Sequence, residues 1–179
     1  LTIIIKIANV KPGLISFEGC SYVDQQTVNG LDKFKLYRGD LLVGMTGYVG
    51  ETGLVAEVNP AAYLNQRVGR FSTNAGLQDI GFIYCLTRNI KFKKFAESQS
   101  HGSAQANVSG IDLLKLSIVK PNSKILSKFN LIVYPLINSI ISNYEMGQTL
   151  ITLRDSLLLR LISGQLRVSD AEEIINSIK

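Results

Sequence analysis

Short β-branched runs separated by glycine, proline and polar residues dominate the chain up to about residue 118, the pattern of a mixed globular domain. It predicts strands at Thr2–Ile7, Asp40–Met45, Gly53–Val58 and Gln66–Phe71, and short helices at Asp79–Leu86, which is ambiguous by periodicity, and at Lys91–Ser98. Ser109-Gly-Ile-Asp112 has the form of a capping box ahead of a short helical turn, and Pro121 closes the segment. Beyond Pro121 the pattern changes. From Asn122 to Ser163 there is a single glycine, Gly147, and apolar residues recur at spacings of three and four through Ile125, Phe129, Ile132, Leu136 and Ile140, then Leu150, Leu153, Leu157 and Leu161. This predicts one long helix of about 63 Å, stopped by Gly164, with Pro135 kinking or splitting it. Ser169-Asp-Ala-Glu172 caps a short helix to Lys179. The fold class read from these elements is α+β: a globular domain over 1–121, a long projecting coiled-coil-type helix over 122–168 and a short terminal helix over 169–179.

Nine of the thirteen residues from Ile125 to Ile137 are hydrophobic, more than one stripe can hold, so the helix must be covered on more than one side. A compact domain of about 118 residues is roughly 35 Å across, too small to cover a helix of that length alone. The expected cover is a second chain, or another part of the same polypeptide, packed on Phe129, Ile132, Leu136, Ile140, Leu150, Leu153, Leu157, Leu158 and Leu161, with Arg154 and Asp155 as orienting polar contacts. No uninterrupted apolar run approaches 18 residues, so no membrane span or membrane partner is expected. The opening LTIIIKIANV reads as a strand, not an export signal, and without an initiator methionine it suggests a start inside a longer product.

Composition adds a compartment. With 46% hydrophobic and 18% charged residues the chain can bury a core, and its two cysteines, Cys20 and Cys85, suit a reducing cytoplasm in which both are small buried hydrophobes. The net charge of +5 is unevenly spread: Arg67, Arg70, Arg88, Lys91, Lys93 and Lys94 lie within one stretch containing a single acid, Asp79, and the remainder is neutral. A basic stretch of this kind suits a polyanion, because each phosphate contact releases condensed counterions; the alternative is a solvated face.

Catalytic signatures are missing. GMTGYVGETG, with Gly44, Gly47, Gly50 and Gly53 at every third position, lacks the lysine and hydroxyl ending of a phosphate loop and reads as a hairpin. The lone His101 rules out a histidine metal cluster, so no metal site is expected. Neither GxSxG nor a cysteine near a histidine supports nucleophilic hydrolysis, and Asn59-Pro-Ala-Ala-Tyr63 departs from the Asn-Pro-Pro-Tyr motif of adenine methyltransferases and reads as a turn. These gaps favour a binding module over an enzyme.

Three stretches, in this order, resemble one family. YRGDLLVGMTGYVGETGLV (Tyr37 to Val55) is similar to the Gly-Asp-x-Leu-Val and Thr-Gly strand pair in the recognition domain of type I restriction-modification specificity subunits. HGSAQANVSGIDLLKLSIVKP (His101 to Pro121) resembles the Gly-Ser-x-Gln-x-Asn-(Ile or Val)-Ser segment that ends that domain, and QTLITLRDSLLLRLISGQLRV (Gln148 to Val168) resembles the end of the conserved spacer helix. The resemblance implies a non-catalytic subunit that reads part of a split site on double-stranded DNA. It implies a spacer helix that pairs antiparallel with its counterpart and docks methyltransferase subunits. S-adenosylmethionine then belongs to the methyltransferase subunit and ATP to the restriction subunit, so this chain needs no cofactor of its own. The family usually carries two recognition domains and two spacer helices; one of each here implies a homodimer or pairing with a second specificity half.

Arg67, Arg70, Lys91, Lys93 and Lys94 are candidate phosphate contacts. The polar loop Gln99 to Asn107, with His101, Ser103, Gln105 and Asn107, either reaches base edges or simply caps backbone groups. Thr46 and Tyr48, at the glycine-rich turn, are further candidates for the DNA face. The competing function is a coiled-coil scaffold whose basic face binds RNA or an acidic protein; scattered rather than clustered aromatics weigh against single-stranded RNA.

Overall fold

The computed structural model describes residues 1–73, 77–101 and 106–165. The short helix expected over 169–179 lies outside them. The chain divides into two compact units, Leu1–Ile141 and Ser142–Lys179.

The first unit is built on two small sheets. In one, β1 (Thr2–Ile5) lies between β3 (Ser21–Val23), antiparallel, and β6 (Ala62–Leu64), parallel. The other runs β2 (Gly13–Leu14), β5 (Thr52–Leu54), β4 (Leu41–Gly44), β7 (Val68–Arg70), with β2 parallel to β5 and the remaining pairs antiparallel. The four strands expected from the sequence are β1, β4, β5 and β7, each shorter than expected. Short 3₁₀ turns at Ile7–Asn9, Gln25–Val28 and Asp32–Phe34 fill the connections.

Side chains alternate across a strand, and β4 uses both faces. Leu42 joins Ile3, Ile5, Val10, Ile15, Leu36, Val55, Ala62 and Val68 in one core. Its neighbour Val43 joins Val49, Phe92, Ala96, Val108 and Leu113 in another, beneath helices α2 (Ile90–Ser98) and α3 (Gly110–Leu113). Helix α1 (Leu77–Thr87) is tied to β5 by the buried Thr52 Oγ1 to Thr87 Oγ1 hydrogen bond of 3.3 Å. The capping box is present: Ser109 Oγ accepts from Asp112 N at 3.1 Å and donates to the Asp112 carboxylate at 2.6 Å. The Lys115 ammonium, 2.7 Å from that carboxylate, and the Ser109 hydroxyl hold Asp112 at a pKa of about 2. The expectation that both cysteines are buried is corrected: Cys20 is half-buried and Cys85 exposed, both are free thiols, and desolvation raises the pKa of each.

The glycine-rich string is the β4–β5 hairpin, in the register Leu41–Leu54, Leu42–Gly53, Val43–Thr52. Gly50 sits at φ +76°, and a Cβ there would lie 2.7 Å from Ala96 Cβ on α2. The turn therefore packs directly on the helix, and only glycine allows both the backbone angle and the approach.

The long helix α4 (Ser123–Ile162) runs without interruption through Pro135, so of the expected kink or split the split does not occur. Pro135 is exposed, and so is Leu131, whose carbonyl loses its i+4 donor, so water can serve that group. Within the first unit, Leu126, Ile137 and Ile141 are buried, and Phe129 stacks edge-on against Phe82 of α1 at 6.3 Å. Arg38 donates to Asn138 Oδ1 at 3.2 Å. By length and composition α4 could cross a membrane, although its apolar residues form no unbroken run. Between Leu126 and Ile141 one face is occupied by the unit's own side chains, although only 17% of the helix's most apolar window is buried. In the second unit, Leu157 is buried, with Leu153 and Leu161 packed against it. Gly164, at φ +71°, ends the helix as expected.

Gly50→Ala should lower unfolding stability by at least about 1–2 kcal/mol from the left-handed backbone angle alone, with the Ala96 contact adding to it. Gly147→Ala, in α4 with open space around the new Cβ, should raise stability by about 0.8–1 kcal/mol. Urea denaturation of both variants checks the pair.

Candidate nucleic-acid interface

Side chains from distant stretches of the chain meet at one edge of the first unit. Residues 45–47, just beyond β4, are flanked on both sides: Met45 N donates to Arg67 O at 3.1 Å, while Val108 N donates to Met45 O at 2.8 Å and Gly47 N to Ala106 O at 2.9 Å. Thr46 Oγ1 donates to Asn107 Oδ1 at 2.9 Å, across 61 positions of sequence. His101 and Asn107 exchange backbone hydrogen bonds of 2.8 and 3.0 Å, which closes the polar loop at its base. Ser103 and Gln105 lie outside the described residues. Met45, Thr46, Gln66, Arg67 and Asn107 line an open hollow of about 390 Å³. Tyr48 is 64% exposed beside it in sequence, with the Lys11 ammonium 5.9 Å from its ring.

The basic stretch divides into two kinds of residue. Arg70 is committed internally, donating to Asp40 Oδ2 at 3.1 Å and to the carbonyls of Lys35 and Lys33 at 2.8 Å each, so it clamps the 33–35 segment onto β7. Lys93 pairs with Glu51 Oε2 at 3.0 Å and Arg88 with Glu51 Oε1 at 3.3 Å, which fastens the hairpin turn to the helices. Lys91 and Lys94 stand exposed three residues apart on α2, and Arg67 is exposed on the β6–β7 turn; among the described residues none of the three has an ion-pair partner. Folding thus brings Asp40 and Glu51 to cations that a linear count leaves unopposed.

Sequence reading missed Gln66, Lys11, Lys33 and Lys35. Gln66 lines the hollow beside Arg67, and it also borders a second hollow of about 510 Å³ with Leu31, Lys33, Phe34 and Arg70. The Lys33 ammonium lies 4.9 Å from the Phe34 ring centre and that of Lys35 5.8 Å from Tyr37. Adjacent basic and aromatic residues in Lys33-Phe34-Lys35-Leu36-Tyr37 were a legible signal, masked by Asp32 and Asp40 in the charge sum. Among the described residues, no group of three or more His, Cys, Asp or Glu could hold a metal ion. The surface offers amides, hydroxyls and cations.

The helix residues assigned to a partner also divide. Phe129 is half-buried and meets Phe82 of its own chain edge-on; the i, i+3, i+4 spacing gave an apolar stripe without saying which side the body would cover. Ile132, Leu136 and Ile140 are exposed at 68%, 58% and 40%. In the second unit Leu150 and Leu158 are exposed, Leu153 and Leu161 pack on the buried Leu157, and Arg154 pairs with its neighbour Asp155.

No protein-family model matches the chain. It is 36% identical over 89 residues to the specificity subunit of the type I restriction enzyme MjaIX of Methanocaldococcus jannaschii, an alignment covering 50% of this chain and 20% of that protein. It is 28% identical over 122 residues to the MjaVIII specificity subunit of the same organism, covering 66% of this chain and 29% of that protein. The chain therefore spans under a third of either relative, and over the aligned part it is similar to type I restriction enzyme specificity subunits, the family to which its three motifs pointed.

Proposed function

We propose that this chain reads double-stranded DNA sequence-specifically as a specificity subunit, or half of one, in a type I restriction-modification complex. It catalyses nothing itself and directs methyltransferase and restriction subunits, which carry S-adenosylmethionine and ATP, to a bipartite site in the cytoplasm. The functional division follows the sequence: recognition over 1–121, pairing and methyltransferase docking over 122–168, and a terminal helix over 169–179. The observation that carries this reading is the meeting of Thr46 with Asn107, itself paired through its backbone to His101, at a hollow that Arg67 also lines; Thr46 and the His101–Asn107 pair come from two of the stretches that resemble the family. Lys91 and Lys94 supply phosphate contacts, and Ile132, Leu136 and Ile140 in the first unit, and separately Leu150 and Leu158 in the second, supply apolar positions for a partner helix. A chain that pairs with its own copy about a two-fold axis reads an inverted repeat.

Co-expression with a candidate methyltransferase subunit, followed by mapping of methylated positions in the host genome, tests the whole reading. A bipartite methylated motif that disappears without this chain is expected. Methylation independent of the chain, or tighter binding to RNA than to any duplex, overturns it.

Replacing Lys91 and Lys94 by Ala should weaken binding to all duplexes alike and flatten the dependence of log K on log salt by about 0.9 for each phosphate left unpaired; Lys93, already paired with Glu51, should contribute less. Ile132→Asp or Leu136→Asp should leave the chain folded, because both positions are exposed, yet abolish partner association by burying an unpaired charge, at a cost of several kcal/mol. Circular dichroism and light scattering measure folding and association separately. Leu157→Asp is a poorer probe, since Leu157 is already buried within the single chain.

A further inference from the structure

We propose that the β6–β7 turn, Asn65–Arg67, is a base-reading element, and that Gln66 and Arg67 are specificity-determining side chains. This rests on the DNA-binding reading above and alters one of its parts, since Arg67 becomes a reader of bases and not of phosphate.

The turn is held at each of its residues or their neighbours. Asn65 N donates to Ile5 O at 3.1 Å, Asn65 Oδ1 accepts from Arg67 N at 3.1 Å, Val68 N donates to Asn65 O at 3.0 Å, and Met45 N donates to Arg67 O at 3.1 Å. Both sheets fix it, because β6 belongs to one and β7 to the other. A phosphate contact tolerates a floating point charge, whereas bidentate recognition of a base edge needs a side chain that starts from a fixed backbone. Arg67 has that fixed origin and keeps its guanidinium unengaged among the described residues. The other arginines of the first unit do not: Arg70 is bound to Asp40, Arg88 to Glu51 and Arg38 to Asn138.

Gln66 is exposed and has no hydrogen-bond partner among the described residues. It forms the boundary shared by the two hollows, with Thr46 and Asn107 on one side and Lys33 and Phe34 on the other. The next residues outward from the turn are thus polar groups already bonded to each other and lysines beside aromatic rings. That is the layout of a reader flanked by positioning contacts. Arginine pairs bidentately with guanine O6 and N7, and glutamine with adenine N6 and N7. Two such side chains on consecutive residues suit neighbouring base pairs in the major groove.

The test selects binding sites from a randomised duplex library with the full chain, comparing wild type with Gln66→Ala, Arg67→Ala and Arg67→Lys, and titrates salt on a fixed duplex lacking the selected motif. Wild type should enrich a motif. Gln66→Ala and Arg67→Ala should each lose preference at one or two positions, a drop of roughly 5- to 150-fold in discrimination, larger than any loss of binding to the fixed duplex. Arg67→Lys, which keeps the charge without the fork, should not restore the preference. The inference is overturned if the variants keep the wild-type motif, or if Arg67→Ala weakens all duplexes equally, lowers the salt slope by about 0.9 and is rescued by Arg67→Lys. If wild type enriches no motif, the DNA-reading function itself falls, and this inference with it.

Discussion

Leu42 and Val43 are consecutive residues of one strand, and they enter different cores. Leu42 completes the cluster shared by the two sheets, and Val43 completes the cluster under α2 and α3. A strand buried on both faces fixes its own register strongly, because a slip of one residue would exchange the two cores. Everything at the candidate interface hangs from the end of that strand. Residues 45–47 continue it, receive the Arg67 backbone on one side and residues 106–108 on the other, and so set where Thr46, Arg67 and Asn107 stand.

The hairpin that follows is fastened to the helices by a different kind of contact. Gly50 lets the turn touch Ala96, and the next residue, Glu51, takes both Arg88 and Lys93. One mostly buried carboxylate serving two partly exposed cations places α1 and α2 relative to β4 and β5. Two positive charges are thereby withdrawn from any polyanion, which leaves Lys91 and Lys94 on the outer side of α2. On the DNA-binding reading proposed above, fewer free cations would mean a weaker non-specific term and a larger share of binding from contacts that distinguish bases.

Much of this architecture is legible in the residues because local signals agree with the fold. The capping box at Ser109 and Asp112, the glycine hairpin and the stop at Gly164 each depend on neighbours in sequence. Strands β2, β3 and β6 are only two or three residues long, too short to show a period, and exist because longer strands pair with them. Ala62–Leu64 follows Asn59-Pro60 and reads as part of a turn until β1 lies parallel beside it. Charge was legible as a sum but not as a surface, since Asp40 and Glu51 meet their cations across 30 and 37 positions. The Gln66–Arg67 turn is equally invisible: nothing local distinguishes an arginine that is held by an acid from one left for a ligand.

The long helix poses the same ambiguity in its apolar residues. Two stripes interleave between residues 125 and 141: Leu126, Ile137 and Ile141 face the chain's own body, and Ile125, Ile132, Leu136 and Ile140 remain exposed. Either stripe alone satisfies helical periodicity, so spacing shows that a cover exists without saying which side it takes. Pro135 falls on the open side, where the Leu131 carbonyl has no amide at i+4 to accept from. A wholly apolar partner laid over that point would bury an unsatisfied acceptor, costing about 1–3 kcal/mol. A partner surface laid there would have to bring a donor to Leu131, or leave that stretch in contact with water. This constraint selects a partner by chemistry as well as by shape, and it arises from the single proline that the helix carries.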